Sequence, residues 1–173
     1  ITTCAANITI ECDESTDPAN TGLTSATDNC DPAPVVTYSD ATVGGQCPQE
    51  YTITRTWTAT DACGNISTCS QTVEVEDTTV PVITTCPGSV TIECDESTAP
   101  GNTGLATATD NCDTAPVVTY SDATVAGGCP QEYSITRTWT ATDACGNSST
   151  CTQSIIVEDT TVPTITTCAA NIT

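Results

Sequence analysis

The sequence predicts an all-β fold made of tandem β-sandwich domains that are stapled by disulfides. Threonine, valine and isoleucine are abundant, whereas leucine occurs twice and methionine and phenylalanine are absent. This bias favours strands over helices. Apolar and polar residues alternate over long segments, and the cysteines recur at a fixed interval along the chain. Together these features indicate repeated copies of one small strand-rich unit.

The strand assignment begins with residues 51–61, where Ile53, Trp57 and Ala59 fall on one face and threonines 52, 54, 56, 58 and 60 on the other. Such strict alternation predicts a long half-buried strand. Residues 62–65 (ACGN) predict a turn, and 67–76 the returning strand. Shorter strands are predicted at 1–4, 8–12, 21–26 and 35–39. Six or seven strands in about 80 residues favour a Greek-key sandwich of immunoglobulin type.

The domain division follows from an internal repeat of 82 residues. Laying residues 1–82 over 83–164 gives 64 identities, and residues 165–173 repeat residues 1–9 letter for letter. We therefore expect an immunoglobulin-like repeat at 1–80, a second at 81–162 and the start of a truncated third at 163–173. The sequence reads as a window on a longer array, cut at both ends.

The thirteen cysteines comprise six in each copy and Cys168, the counterpart of Cys4 and Cys86 in the third copy. There is no histidine and no CxxC pair, so disulfides are favoured over metal sites. Three disulfides per copy indicate an oxidising compartment, and we expect a secreted or cell-surface protein.

The charge of −20 excludes several partners and mechanisms. Arg55 and Arg137 are the only basic residues against 22 acids, so no patch could neutralise nucleic-acid phosphates or an anionic membrane surface. No apolar run approaches the roughly 20 residues of a membrane span. Histidine-centred catalysis is excluded as well.

Five short motifs resemble the successive signatures of the hyalin repeat (HYR) family: DTTVP at 77–81, ITTCP at 83–87, ATDNC at 108–112, TATDACGN at 140–147 and STC at 149–151. The resemblance implies an immunoglobulin-like fold and tandem arrays in extracellular adhesive, matrix and bacterial surface proteins. The first copy departs from the pattern at Ala5, where the second has Pro87.

A calcium site is predicted where two copies meet. In such a sandwich the hairpin turn 61–65 and the acidic loop 28–31 lie at one end of a copy, and the last strand, which finishes at Glu76, ends at the other. Five carboxylates would then gather without a basic partner, and Ca²⁺ takes six to eight oxygen ligands. The predicted junction ligands are Glu76, Asp77, Asp110, Asn111, Asp113, Asp143 and Asn147, with counterparts at the outer ends in Asp28, Asn29, Asp31, Asp61, Asn65, Glu158 and Asp159. Solvated loop acids are the alternative.

Within each copy, loops at the same end should pair, which favours Cys30–Cys63, while Cys4–Cys69 would join the first and last strands and leave Cys12–Cys47. The second copy would repeat this as Cys112–Cys145, Cys86–Cys151 and Cys94–Cys129. Six cysteines allow 15 connectivities, so other pairings stay open.

The leading functional hypothesis is a secreted, calcium-stabilised filament, adhesin stalk or matrix fibre whose partners are neighbouring copies of itself. The alternative is a module that binds a glycan, a cell-surface ligand or ice through its threonine faces. An enzyme ranks last because no carboxylate is predicted in an apolar pocket. Thr78, Thr114 and Thr160 follow aspartates in an Asp-Thr-x pattern similar to the acceptor sites for O-linked sugar in Bacteroidetes.

Overall fold

The computed structural model describes residues 1–167, which form two four-stranded sheets, one in each sequence copy. Burial alternates along the ten-residue strands at 51–60 and 133–142, which gives each sheet one dry and one wet face. The first copy contains β1 (Ile8–Glu11), α1 (Pro18–Thr21), β2 (Val35–Gly44), β3 (Tyr51–Thr60) and β4 (Ile66–Glu76). The second contains β5 (Val82–Thr85), β6 (Val90–Glu93), α2 (Pro100–Thr103), β7 (Thr107–Thr109), β8 (Val117–Ala126), β9 (Tyr133–Thr142) and β10 (Ser148–Glu158).

Both sheets have the same topology. The strand order is β1-β4-β3-β2 in the first copy and β6-β10-β9-β8 in the second, with β1 and β6 parallel to their neighbours and all other pairs antiparallel. The opposing layer is small. It consists of the β5–β7 pair in the second copy and a single bridge from Thr3 to Ser25 in the first. The chain therefore folds as an all-β, immunoglobulin-like tandem sandwich.

Some elements differ from the prediction. Strand β2 runs five residues further than the predicted 35–39, because it pairs with β3 along its whole length to Gly44. The strands predicted at 1–4 and 21–26 shrink to one bridge, since Pro18 starts a single helical turn, α1, that takes up residues leading into the second of them.

The core of each copy lies beneath the inner face of its sheet. Ile10, Ile53, Val73 and Val75 form the buried cluster of the first copy, and Ile92, Ile135, Ile155 and Val157 form that of the second. These few aliphatic side chains make a small core, which is why the domain also depends on polar contacts and disulfides.

A buried arginine network completes the core. Arg55 is 1% exposed, and its guanidinium donates to both carboxylate oxygens of Asp40 at 2.9 Å and to Thr21 Oγ1 at 2.8 Å. It lies 4.6 Å from the centre of the Tyr38 ring. The bidentate pair and the aromatic contact satisfy a charge that burial alone would penalise. Arg137 and Asp122 repeat the arrangement, and Arg137 holds the pKa of Asp122 below its usual range, chiefly through their hydrogen bond.

Two disulfides lie within the copies: Cys4–Cys69 and Cys86–Cys151, with Cα–Cα distances of 6.2 and 6.3 Å. They join the first segment of each copy to its last strand, as the sequence predicts.

The other predicted pairings are wrong. Cys12 is bonded to Cys112, and Cys47 to Cys145, so both bonds cross from one copy to the next. Cys30–Cys63, Cys12–Cys47, Cys112–Cys145 and Cys94–Cys129 do not form. The physical reason at the junction is that the two copies meet there, which brings Cys12 and Cys47 of the first copy to bonding distance of cysteines in the second.

Candidate metal centre at the repeat junction

The junction is formed by two surfaces, which we call the linker end and the turn end. The linker end of the first copy comprises the finish of β4, Cys12 and the loop 45–50 between β2 and β3. The turn end of the second copy comprises the loop 110–113 and the hairpin turn 143–147. Besides the two disulfides, Asn147 Nδ2 donates to the carbonyl of Asp77 at 2.8 Å. Contacts thus join the two copies at several points.

Three carboxylates converge at this junction. Asp77 follows β4, Asp110 follows β7 and Asp143 follows β9, and each offers an oxygen within 4.8 Å of the others. Asp77 is 3% exposed and Asp143 6% exposed, so two of the three are buried. Like charges at this separation in a buried site repel strongly unless a cation lies between them.

Local hydrogen bonds aim the two turn-end carboxylates at the junction. Asp110 Oδ1 accepts from the backbone N–H of Cys112 at 2.9 Å and of Asp113 at 2.8 Å. Asp143 Oδ1 accepts from Cys145 N–H at 2.9 Å and Asn147 N–H at 2.8 Å. One oxygen of each carboxylate fixes the loop, which leaves the other oxygen to face the centre.

Four buried oxygens have no hydrogen-bond partner: both of Asp77, Oδ2 of Asp110 and Oδ2 of Asp143. Buried carboxylate oxygens without partners are costly, and native structures rarely contain several together. One oxygen of each of the three carboxylates lies within 4.8 Å of the others, an arrangement that suits a cation with oxygen ligands.

The outer turn end of the first copy shows how docking creates the site. There Asn65 Nδ2 donates to Asp61 Oδ2 at 2.7 Å, which satisfies the oxygen that corresponds to the free one of Asp143. At the junction the corresponding Asn147 amide donates to the linker carbonyl instead. Docking therefore takes the hydrogen-bond partner away from Asp143 Oδ2.

Aspartates at the junction and at the outer turn end have pKa values that shift in opposite directions. Burial raises the pKa of Asp77, and the nearby charges of Asp143, Asp110 and Glu11 raise it further. By contrast, hydrogen bonds lower the pKa of Asp61 at the outer turn end, those from Asn65 most strongly. Asp77 in the junction thus resists holding its negative charge, whereas Asp61 at the outer turn end holds its charge easily.

The remaining predicted ligands have other positions. Both carboxylate oxygens of Asp113 already accept hydrogen bonds, one from the N–H of Ala115 and the other from the N–H of Ala144. Glu76 and Asn111 are exposed and outside the cluster of three. The predicted outer-end ligands are all exposed or half-buried: Asp28, Asn29, Asp31, Asp61, Asn65, Glu158 and Asp159.

Glu11 belongs near the junction and was not among the predicted junction ligands. Its carboxylate lies beside Asp77 and accepts from the N–H and the hydroxyl of Thr78. The parallel register of β1 with β4, which pairs Glu11 with Glu76, places it there. Sequence alternation does not reveal a parallel pairing between strands so far apart in the chain.

Two other groups of acids and cysteines do not suit a metal. Cys112 lies beside Glu11 and Asp77, and both Cys47 and Cys145 lie beside Glu50. All three cysteines are in disulfides, so they offer no thiolate.

The predicted sugar acceptors are exposed. The hydroxyls of Thr78 and Thr160 donate to Glu11 and Glu93, respectively. O-glycosylation at Thr78, Thr114 and Thr160 stays a prediction.

No family model matches the chain, and no curated protein matches it. Among solved structures, human protocadherin-24 EC1-2 is 16% identical, with 91% of this chain and 95% of that chain covered and a TM-score of 0.39. The tandem Ig repeats of Dlar are 13% identical (74% and 84% covered, TM-score 0.31). Mouse PcdhgC3 EC1-3 is 18% identical, covers 66% of this chain and has a TM-score of 0.33, and the match spans 44% of its length. At these TM-scores the likeness defines no shared family or function.

Within residues 1–167, no helix has the length and apolar character needed to cross a membrane.

Proposed function

We propose that the chain is a structural repeat of an extracellular array whose junctions are stabilised by calcium. The observation that carries the proposal is the set of four unpartnered carboxylate oxygens from Asp77, Asp110 and Asp143 at the junction. Oxygen-only donors of this kind suit a hard divalent cation. Within the three-carboxylate cluster there is no thiolate or imidazole that would favour zinc or copper.

Calcium suits this set better than magnesium. Ca²⁺ accepts irregular arrangements of six to eight oxygens, whereas Mg²⁺ demands a near-ideal octahedron. Three carboxylates from three separate segments form such an irregular set. A bound cation would neutralise the buried charge and hold the last strand of one copy against two loops of the next.

An extracellular, structural role is supported by the disulfides and by the repeat. The four disulfides need an oxidising environment to form and persist. Two copies with 64 identities in 82 positions favour a repeated spacer over a duplicated active site. Membership of the hyalin repeat family, with boundaries near residues 80 and 162, is part of this proposal and rests on the sequence motifs.

The experiment is calcium titration by calorimetry on the monomeric chain, with free thiols alkylated so that chains stay separate. The double variant Asp110→Asn/Asp143→Asn should lose the strongest binding event. The matched control Asp28→Asn/Asp61→Asn changes the same two loop positions at the outer turn end and should keep it. Equal loss in both variants, or no saturable binding to the native chain, would refute the junction site.

A second candidate function is recognition of a repeating ligand, such as a glycan or ice, by the outer sheet face. The structure widens this face beyond one strand, because neighbouring strands carry hydroxyls in register. The rows across β2, β3 and β4 are Thr37, Thr58 and Thr68, then Ser39, Thr56 and Ser70, then Ala41, Thr54 and Thr72. Glycan arrays and ice-growth assays on the native chain and on Thr56→Lys test this candidate; identical behaviour of the two proteins would exclude it.

A further inference from the structure

Four cysteines among residues 1–167 form no disulfide, and their positions are related to the junction bonds. Cys30 and Cys63 lie at the outer turn end, and Cys94 and Cys129 lie at the outer linker end. With the 82-residue repeat, Cys30 and Cys63 correspond to Cys112 and Cys145, and Cys94 and Cys129 correspond to Cys12 and Cys47. The thiols at the outer turn end therefore correspond to one side of the two junction disulfides, and the thiols at the outer linker end correspond to the other side.

We propose that the outer ends are complementary docking surfaces for a second copy of this chain, joined head to tail by the disulfides Cys94–Cys30 and Cys129–Cys63. Every junction of the resulting array then carries the same pair of disulfides as the central one. This assembly stands on the cysteine geometry and does not depend on a cation.

The outer turn end already has the backbone hydrogen bonds of the docked one, although the side-chain amide of Asn65 has a different partner from that of Asn147. The N–H of Cys30 donates to Asp28 Oδ1 at 2.9 Å, as Cys112 does to Asp110, and the N–H of Cys63 donates to Asp61 Oδ1 at 2.9 Å, as Cys145 does to Asp143. The contact that ties the two loops together is also repeated, from Ala62 N–H to Asp31 at 2.9 Å and from Ala144 N–H to Asp113 at 3.0 Å.

The outer linker end matches its docked counterpart equally well. Gly127 N–H donates to the carbonyl of Glu132 at 2.8 Å and Glu132 N–H to that of Cys129 at 3.0 Å, against 2.7 and 3.1 Å in the loop that carries Cys47. The turn 93–96, which contains Cys94, repeats the turn 11–14 around Cys12: the Glu96 N–H donates to the carbonyl of Glu93 at 3.0 Å, and the equivalent distance in the first copy is 3.0 Å. Docking therefore needs no rearrangement of these loops.

The cysteines of the docked junction are less exposed than the corresponding cysteines at the outer ends. All four unbonded cysteines are exposed, whereas their bonded counterparts are half-buried. The Cα–Cα distances of 5.9 and 5.1 Å at the central junction lie within the ordinary range for disulfides. Two chains that dock with the central geometry thus bring both thiol pairs to bonding distance.

The bond-forming step is thiol–disulfide exchange with a small disulfide oxidant such as glutathione disulfide. A thiolate of one chain attacks the oxidant and releases one glutathione thiolate, and the facing thiolate of the second chain then displaces the other. Each new S–S bond thus takes two thiol protons and two electrons from the protein and leaves two reduced glutathiones. The competing product is closure within one chain, as Cys30–Cys63 and Cys94–Cys129.

The test uses two complementary variants, both with Cys168→Ser so that the cysteine outside the described residues takes no part. The variant Cys30→Ser/Cys63→Ser keeps only the thiols of the linker end, and Cys94→Ser/Cys129→Ser keeps only those of the turn end. After oxidation with glutathione disulfide, each variant alone should stay a monomer, and an equimolar mixture should double in mass and stop at the dimer. The chain with all four thiols should form longer ladders.

Peptide mapping without reduction should find Cys94 linked to Cys30 and Cys129 linked to Cys63 in the dimer, with Cys12–Cys112 and Cys47–Cys145 unchanged as the check on folding. Cys30–Cys63 and Cys94–Cys129 bonds in monomers, or a mixture that stays monomeric, would overturn the proposal. Running the mixture with calcium and with a chelator separates the two ideas: cross-linking in either condition supports head-to-tail docking, whereas the calcium site is judged by the titration alone.

Discussion

Replacing Asp77 by asparagine should change the sign of its effect on stability when calcium is added. Asp77 is 3% exposed, both of its carboxylate oxygens lack a hydrogen-bond partner, and one of them lies within 4.8 Å of an oxygen of Asp110 and of Asp143. Without a cation, the substitution removes two of the three like-charge pairs of the cluster. With calcium, it removes one of the three carboxylate ligands.

The magnitude follows from the separation of the charges. At 4.8 Å, the largest separation between the oxygens of the cluster, two unit charges repel by about 3.5 kcal/mol at an effective dielectric constant near 20. Two such pairs give about 7 kcal/mol, and relaxation and water reduce the measurable gain to roughly 1–3 kcal/mol. In the opposite direction, calcium at 100 times its dissociation constant stabilises the native chain by about 2.7 kcal/mol.

Thermal unfolding in a chelator and in excess calcium measures both effects. For a chain of this length 1 kcal/mol shifts the midpoint by about 2–4 °C, so calcium should raise the native midpoint by roughly 5–10 °C. Asp77→Asn should unfold above the native chain in chelator and show little response to calcium. Asp159→Asn is the matched control, because Asp159 occupies the same position at the exposed linker end. It should respond to calcium as the native chain does.

Two results would contradict calcium binding at the junction. One is a calcium response of Asp77→Asn as large as that of the native chain. The other is a loss of the response in Asp159→Asn as large as the loss in Asp77→Asn. The first would show that the cluster holds no calcium, and the second that the response is not confined to the junction.

Three further predictions concern the fold. The pKa of Asp122 is lower in the folded chain than in the unfolded one. The stability that Asp122 contributes is therefore present above its unfolded pKa of about 3.9 and is lost as the pH falls through the folded value. In urea unfolding from pH 6 to 2, Asp122→Asn should show a smaller pH effect than the exposed control Asp95→Asn. Val73→Ala removes a fully buried side chain and should cost about 2–4 kcal/mol in urea unfolding, a cost that an unchanged midpoint would contradict. Removing the Cys4–Cys69 bond, whose cysteines are 65 residues apart, should cost about 4 kcal/mol by the loop-entropy estimate, and a loss below 1 kcal/mol would count against it.

The sequence predicted the sheets well because their information is local. In the segment 51–60, each side chain's face follows from strict alternation, and the structure buries Ile53, Trp57 and Ala59 and turns the threonines outward. It also placed Asp77, Asp110 and Asp143 together, because end positions in a sandwich follow from strand direction alone.

The disulfides were harder to predict because they depend on the relation between copies. Cys12–Cys112 spans 100 residues and Cys47–Cys145 spans 98, and neither bond can be distinguished by spacing from a pairing inside one copy. The single turn at Pro18–Thr21 and the parallel pairing that brings Glu11 beside Glu76 were missed for a similar reason. Both are set by tertiary packing, which overrides local propensity.

The bond between Cys4 and Cys69 also determines how the chain responds to a pulling force. Tension that enters at the first segment passes through the sulfurs directly into β4, so the residues between them carry no load. If one copy lost its fold under tension, this loop of 65 residues could not extend, which withholds about 220 Å of contour length at about 3.4 Å per residue. Cys86–Cys151 does the same in the second copy. A filament of such units would lengthen mainly through its linkers, and it would be nearly inextensible even where individual domains had unfolded.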